Sequence, residues 1–306
     1  MNLILLSTYN GGQYLRKQID SVLSQSVSDF TLLIRDDGSS DDTLKILKTY
    51  SDPRIRMLTG ENLGPSGSFF ALLDEARTMG AEQVFFCDQD DIWMPDKLAQ
   101  LLSELKKCPE GPALVFSDFA MIDEKDTVLG DSYAAMAKLR IPGNGDFFPK
   151  LLAQPYAFGC TAVLNRALLE LVTEPPAGIE MYDCWIALVA SVFGTVRYLP
   201  AATIYHRFHS ANATGRAGMN SCFSRLRRAT GQFRKQQDNT ALRLGQAKLL
   251  LDRYGDIIPP QHRPRLEALA NAAGGLSAVR TLKKYGVARG GRLQNLFFYI
   301  TAFARR

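Results

Sequence analysis

The chain has 306 residues, of which 46% are hydrophobic and 22% charged, so it can bury one substantial core and is not a disordered polyelectrolyte. Its apolar runs fall well short of the roughly 20 residues that cross a bilayer, which argues against a transmembrane helix, and Met1–Leu6 turns polar at Ser7 with no basic lead-in, so a cytoplasmic start is expected. The net charge of +5 hides a division: residues 1–215 hold 18 Lys/Arg against 27 Asp/Glu, whereas residues 216–306 hold 18 against 4.

In chain order, short apolar runs alternate with amphipathic stretches over the first 120 residues, the pattern of a Rossmann-like, mostly parallel sheet with crossover helices. Strands are expected near Asn2–Ser7, Thr31–Arg35, Ile55–Leu58, Gln83–Cys87 and Ala113–Ser117. Helices are expected over about Gly12–Gln25, Ser40–Tyr50, Ser66–Met79 and Asp96–Lys107. Ser39 and Ser40 followed by Asp41 and Asp42 should cap the second helix with a hydroxyl and place carboxylates at its positive end. Residues 130–150 read as a Gly/Pro-rich connection, followed by an apolar segment at Ala157–Leu164, a helix from near Glu180 and a strand near Thr195–Tyr205. The cysteines Cys87, Cys108, Cys160, Cys184 and Cys222 form no CxxC pair and read as reduced, mostly buried small hydrophobes.

Three polar clusters fall at strand ends, where ligands of such sheets converge: Ser7-Thr8-Tyr9-Asn10, Asp36-Asp37-Gly38-Ser39 and Asp88-Gln89-Asp90-Asp91. Three carboxylates in four positions make a hard-oxygen site for Mg2+ or Mn2+; a solvated turn with helix caps is the competing reading. Asp36 and Asp37 can accept from a nucleobase or ribose, and they are redundant for capping because Ser40, Asp41 and Asp42 already supply it. Met181-Tyr182-Asp183-Cys184-Trp185 holds one carboxylate among aromatics, readable as a general base of raised pKa or as an N-terminal helix acid. His206 and His209 follow a strand in Tyr205-His206-Arg207-Phe208-His209; alternation points His206 away from His209, toward a structural role.

These motifs, in this order over about residues 1–215, resemble family 2 glycosyltransferases of the GT-A fold, and Cys-Asp-Gln-Asp-Asp-Ile-Trp is closest to the bacterial rhamnosyltransferase-like members. The resemblance implies an inverting, metal-dependent transfer from a nucleotide diphosphate sugar, dTDP-L-rhamnose ahead of a UDP-hexose. The acceptor would be a hydroxyl of a saccharide or lipid-linked saccharide in surface polysaccharide synthesis. It makes Asp88-Gln89-Asp90 the DxD motif and Asp90 the metal ligand with Asp88 and His209. Asp183 becomes the base, although Tyr182 stands where many relatives carry Glu or His. Thr8, Tyr9, Asn10, Asp36, Asp37, Asp88 and Gln89 become nucleotide-sugar contacts. Asn212 and Gly215 extend the match. A nucleotidyltransferase would begin with a basic phosphate loop, which Ser7–Gly12 lacks; a silent nucleotide-sugar-binding module is the other alternative, against which Asp183 stands.

Residues 216–306 form a basic, mainly helical extension, with Arg225, Arg227, Arg228, Arg234, Lys235, Lys283, Lys284, Arg289, Arg292, Arg305 and Arg306. No nucleic-acid motif or interleaved stacking aromatics accompany them, so no nucleic acid partner is expected. Leu293, Leu296, Phe297, Ile300 and Phe303 follow helical spacing with cations at both ends, which suits peripheral contact with the anionic inner face of the cell membrane. Packing of that face on the core is the alternative.

Overall fold

The apolar runs line up as one sheet. In the computed structural model, which describes residues 1–143, 145–172, 174–209, 229–272 and 274–304 with the side chains of 229–235 excepted, β1 (Asn2–Thr8), β2 (Thr31–Asp36), β3 (Ile55–Thr59) and β4 (Gln83–Cys87) form a parallel ladder in the order β3-β2-β1-β4. Leu3 and Leu5 enter one core, Ile4 and Leu6 the other, and all four are fully buried. Two covered faces explain why β1, β2 and β4 are largely apolar rather than alternating, whereas β3 is the edge strand, with residues 56–59 exposed. At about 1.5–3 kcal/mol for each buried aliphatic side chain, β1 is a rigid platform for the polar loop at its end.

Helices α1 (Leu15–Leu23), α2 (Thr43–Leu47), α3 (Gly64–Thr78) and α4 (Lys97–Leu105) follow β1, β2, β3 and β5 (Ile92–Trp93). α1 buries Leu15, Gln18, Ile19 and Val22, an i, i+3, i+4 stripe. The hydroxyl cap expected for α2 does not form. Asp41 accepts from the Thr43 N–H (3.0 Å), Ser39 Oγ instead accepts from the Asn10 N–H (2.9 Å), and the Ser40 N–H donates to Asn10 Oδ1 (2.8 Å). The segment is recruited to hold the β1 loop.

Beyond β4 the sheet is mixed rather than mostly parallel. β6 (Ala113–Ile122) pairs antiparallel with β7 (Val128–Gly130), β8 (Ala162–Asn165) lies antiparallel between β4 and β6, and β9 (Thr195–Arg207) runs parallel to β6. Register shifts around Asp118 bend the β6–β9 pair, and the end of β9 folds back onto β5 with Ile92 opposite Tyr205. That bend delivers residues 205–209 to the acidic loop after β4.

α5 (Tyr133–Met136), α6 (Phe148–Ala153), α7 (Arg166–Leu171) and α8 (Tyr182–Phe193) complete the first part, and α9 (Ala229–Tyr254), α10 (Arg263–Ala270), α11 (Gly275–Lys284) and α12 (Arg292–Phe303) follow. Leu244, Leu250, Leu266, Leu282 and Phe298 share one core with Leu3 and Trp185. Arg243 of α9 pairs with Glu180 (2.7 Å) and donates to the Ala153 carbonyl (3.0 Å), fastening the basic helices to the segment before α8. The division at 215/216 lies outside the described residues, as do Asn212, Gly215, Cys222, Arg225, Arg227, Arg228, Arg305 and Arg306 and the side chains of Arg234 and Lys235. Cys87, Cys108, Cys160 and Cys184 carry free thiols.

α12 docks through Phe298, Thr301 and Ala302. The stripe read from the sequence, Leu293, Leu296, Phe297, Ile300 and Phe303, is 40–82% exposed, so the core-packing alternative fails for that stripe. Among the described residues no helix is long and apolar enough to cross a membrane.

Candidate active site

The loop after β1 is shaped by backbone demands. Asn10 takes a left-handed conformation (φ 49°), one that Asn tolerates better than most side chains. A Cβ on Gly11 would lie 2.3 Å from Gln89 Oε1, so a side chain there would displace the carboxamide that joins the loops after β1 and β4. Gln89 is the strut between them. Its Oε1 accepts from Thr8 Oγ1 and from the Tyr9 N–H, both at 2.8 Å, and its Nε2 donates to the Tyr9 carbonyl (3.2 Å). Ser7, Tyr9, Asn10 and Gln89 border a cavity of about 660 Å3. Thr8 does not, because strand alternation turns it inward, where it is 1% exposed.

Asp36 and Asp37 separate in the same way. Asp36 sits behind the loop, with Oδ2 accepting from the Gly38 and Ser39 N–H groups and Oδ1 buried without a hydrogen-bond partner among the described residues. Asp37 borders the cavity, yet it pairs with Arg35 and accepts from the N–H groups of Leu63 and Gly64 at 2.9–3.1 Å. Asp37→Asn should therefore lower the unfolding free energy by about 3 kcal/mol, since it breaks a buried ion pair and offers the two N–H groups a weaker acceptor. Urea unfolding checks this; an unchanged midpoint would mean that Asp37 faces ligand alone.

At the end of β4, Asp88 is pushed up to about 8 by burial and then by Asp91 and Asp90. Burial would raise Asp91 as well, but His206 (Nδ1 to Oδ1 2.8 Å) and the Arg207 N–H (3.1 Å) hold it below the usual carboxylate range. The same pairing carries His206 up to about 9 against the effect of burial. His206 borders the cavity and is not turned away as alternation implied; its ring is held against Asp91. His209 Nε2 lies 2.7 Å from Asp90 Oδ2, and its ring packs on Tyr14 at 5.3 Å. Arg207, fully buried, donates from Nε to the Asp90 carbonyl (2.8 Å) and pairs with Asp126. His206 and Arg207 at the end of β9, with His209 just beyond it, therefore grip the acidic loop.

Asp183 stands in the first turn of α8 and borders the same cavity. Burial pushes its carboxyl up; the Gly159 N–H (3.0 Å to Oδ2) and the Cys184 N–H (2.8 Å to Oδ1) draw it partly back. Tyr182 lies under it, stacked on Phe69 at 4.1 Å. A Cβ on Gly159 would lie 2.0 Å from the Tyr182 hydroxyl oxygen, so this wall requires glycine. Tyr14, Phe69, Phe158 and Gly159 line the cavity without having stood out in the sequence, and Tyr182 joins them. Phe69 reads there as one more apolar position of a helix, and nothing in spacing separates it from the core.

Two groups of side chains compete as a cation site. Asp88, Asp91, Cys160 and His206 offer ligand atoms within 4.8 Å of one another. In that group, however, Asp91 is spent on His206, which the pairing holds protonated, and burial raises the Cys160 thiol. A cationic ring and a neutral thiol do not suit a hard divalent ion. Asp90 and Asp88, with His209 beside Asp90, fit better, and the reluctance of Asp88 to ionise beside two other carboxylates is what a cation would relieve.

The sequence profile described as Glycosyl transferase family 2 matches residues 3–172. The chain belongs to that family. The matched span of this family 2 glycosyltransferase carries all three acidic and polar loops but stops short of Asp183, His206 and His209. An uncharacterized glycosyltransferase of Rickettsia prowazekii is 29% identical over 223 residues, covering 70% of this chain and 66% of that protein, so the chain spans just under two thirds of that relative. The UDP-Glc:alpha-D-GlcNAc-diphosphoundecaprenol beta-1,3-glucosyltransferase of Escherichia coli is 30% identical over 188 residues, 61% of this chain and 68% of that enzyme. A mannosyltransferase from Pyrobaculum calidifontis, solved with GDP-Man and Mn2+, superposes with a TM-score of 0.55 at 17% identity, over 99% of this chain and 84% of its own. The fold is the GT-A fold with a helical C-terminal region.

Proposed function

We infer that the chain is an inverting glycosyltransferase that moves a sugar from a nucleotide diphosphate donor to a hydroxyl of a saccharide or lipid-linked saccharide, at the cytoplasmic side of the membrane. The observation that carries the reading is the placement of Asp183 in one cavity with the Asp88–Asp91 loop. Asp183 takes the proton of the acceptor hydroxyl while that oxygen attacks the anomeric carbon; the bond from that carbon to the diphosphate breaks on the opposite side, and the nucleoside diphosphate departs. Tyr9, Asn10 and Asp37 face the nucleotide, while Thr8, Gln89 and Asp36 brace the loops that present them. Asp90, with Asp88 and His209, would hold Mg2+ or Mn2+, which neutralises charge developing on the departing diphosphate. The end of β9 keeps that loop in place before any ligand arrives.

Similarity to the Escherichia coli UDP-Glc enzyme favours a UDP-hexose over dTDP-L-rhamnose as donor, and the same relative favours a lipid-linked acceptor over a free sugar. A thermal-shift screen of UDP-glucose, UDP-galactose, UDP-GlcNAc, dTDP-L-rhamnose and GDP-mannose, with and without Mn2+, tests this. A donor at about 100 times its Kd stabilises the folded state by about 2.7 kcal/mol, so one UDP-hexose with Mn2+ should raise the melting temperature by several degrees. A larger shift with dTDP-L-rhamnose would reverse the donor choice. No shift with any of the five would remove the assignment of a UDP-hexose donor.

A further inference from the structure

α12 is apolar on two sides. One side, Phe298, Thr301 and Ala302, is buried in the core. The other presents Leu293, Leu296, Ile300 and Phe303 at i, i+3, i+7 and i+10, a single stripe along the helix, with exposures of 82, 57, 44 and 50%. The first side already fastens the helix, so the second is not needed for docking. Isolated exposed leucines are ordinary, but four large apolar side chains in one row are not.

What surrounds the stripe decides its partner. From residue 268 to the C-terminus the sequence holds seven Lys/Arg and no Asp or Glu. Arg292 opens α12 and is exposed, as are Arg280, Lys283 and Lys284 of α11. Lys283 Nζ lies 5.7 Å from the ring of Tyr299, on the flank of α12. The start of α12 also abuts the chain at residues 138–140: a Cβ on Gly290 would lie 3.3 Å from the Lys138 carbonyl and 3.2 Å from the Arg140 N, and both of those side chains are exposed. An apolar row edged by cations matches a surface with an apolar interior and anionic groups at its rim.

We propose that the Leu293–Leu296–Ile300–Phe303 face of α12 lies in the interfacial layer of an anionic lipid bilayer, with Lys283, Lys284 and Arg292 meeting the headgroups. α12 lies along the membrane surface; hydrophobic burial of the stripe and screened attraction of the cations act together. The purpose of such docking rests on the lipid-linked acceptor inferred above, but the binding itself needs neither donor nor acceptor.

Vesicle flotation of the full chain tests it, with phosphatidylcholine alone and with phosphatidylcholine containing phosphatidylglycerol. The wild type should float with the acidic vesicles only, and the bound fraction should fall as salt is raised. Lys283→Gln, Lys284→Gln and Arg292→Gln should each lower partitioning about five-fold. The double variant Leu296→Ser/Ile300→Ser should lower it at least about ten-fold, with the melting temperature and donor-induced thermal shift unchanged because both side chains are exposed. Equal flotation with neutral vesicles, or none with either, would overturn the proposal while leaving the transferase reading intact. So would light scattering that shows a dimer dissociated by the double variant, since the stripe would then face a second copy.

Discussion

Replacing Asp183 with Asn is expected to lower turnover by about 100- to 10,000-fold, the usual contribution of a positioned general base. Asn keeps the shape of the side chain and can still accept from the Gly159 N–H through its oxygen, losing only the contact with the adjacent Cys184 N–H, so the first turn of α8 should persist and the unfolding free energy should fall by no more than about 1 kcal/mol. Donor affinity should be unchanged, because the role assigned to Asp183 concerns the acceptor proton. The pH profile gives a second check. Burial favours the neutral acid, so the carboxyl ionises above the ordinary aspartate value of 3.8. As only the ionised form can take a proton, activity should fall as pH drops through that raised value, and the acidic limb should sit above the range of a solvent-exposed aspartate. Single-turnover kinetics on wild type and variant across pH would show it. Near-normal turnover in the variant would make Asp183 a helix-start acid; loss of donor binding would make it structural.

The second large effect is expected at Asp90. Asp90→Ala should abolish the difference in donor affinity between Mn2+ and EDTA, a loss on the order of 100-fold, about 2.7 kcal/mol. The backbone contact of Arg207 to the Asp90 carbonyl survives the substitution, so the loop should keep its course and the effect should be one of charge. His209→Ala should weaken metal-dependent binding less, because it removes one neighbour of Asp90 and no carboxylate. Asp88→Asn, which keeps acceptor capacity while losing charge, should also be milder. Isothermal titration with UDP in both buffers separates these cases. Equal affinity of the wild type for UDP in Mn2+ and in EDTA would overturn the assignment of the acidic loop to a cation.

Much was legible along the chain because it is local. Apolar runs with turn residues at their ends mark β1, β2, β4 and β6, since burial on both sides of a sheet leaves only one class of side chain there; the exposed edge strand β3 is marked only by Ile55, Met57 and Leu58. The three polar clusters end strands of that sheet, so their convergence follows from topology alone. The basic tail, and the helical period of Leu293, Leu296, Phe297, Ile300 and Phe303, are likewise properties of composition and spacing.

Tertiary structure decided what depends on direction and on distant partners. Thr8 and Asp36 stand beside Tyr9 and Asp37 in sequence, yet a one-residue step along a strand turns the first pair into the protein and the second toward the cavity. Alternation failed at His206: a residue expected to point away is held beside the cavity by Asp91, a partner more than a hundred positions earlier that spacing does not reveal. The antiparallel insertion of β8 between β4 and β6 breaks the simple parallel order, and no local propensity marks it. Gly11 and Gly159 look like any other glycines until Gln89 and Tyr182 are seen pressed against them. Which side of α12 meets the core depends on the helices it packs against, and the core took Phe298 and Ala302 and left the regular stripe outside. Period fixes a helix face, but only packing fixes which face is buried.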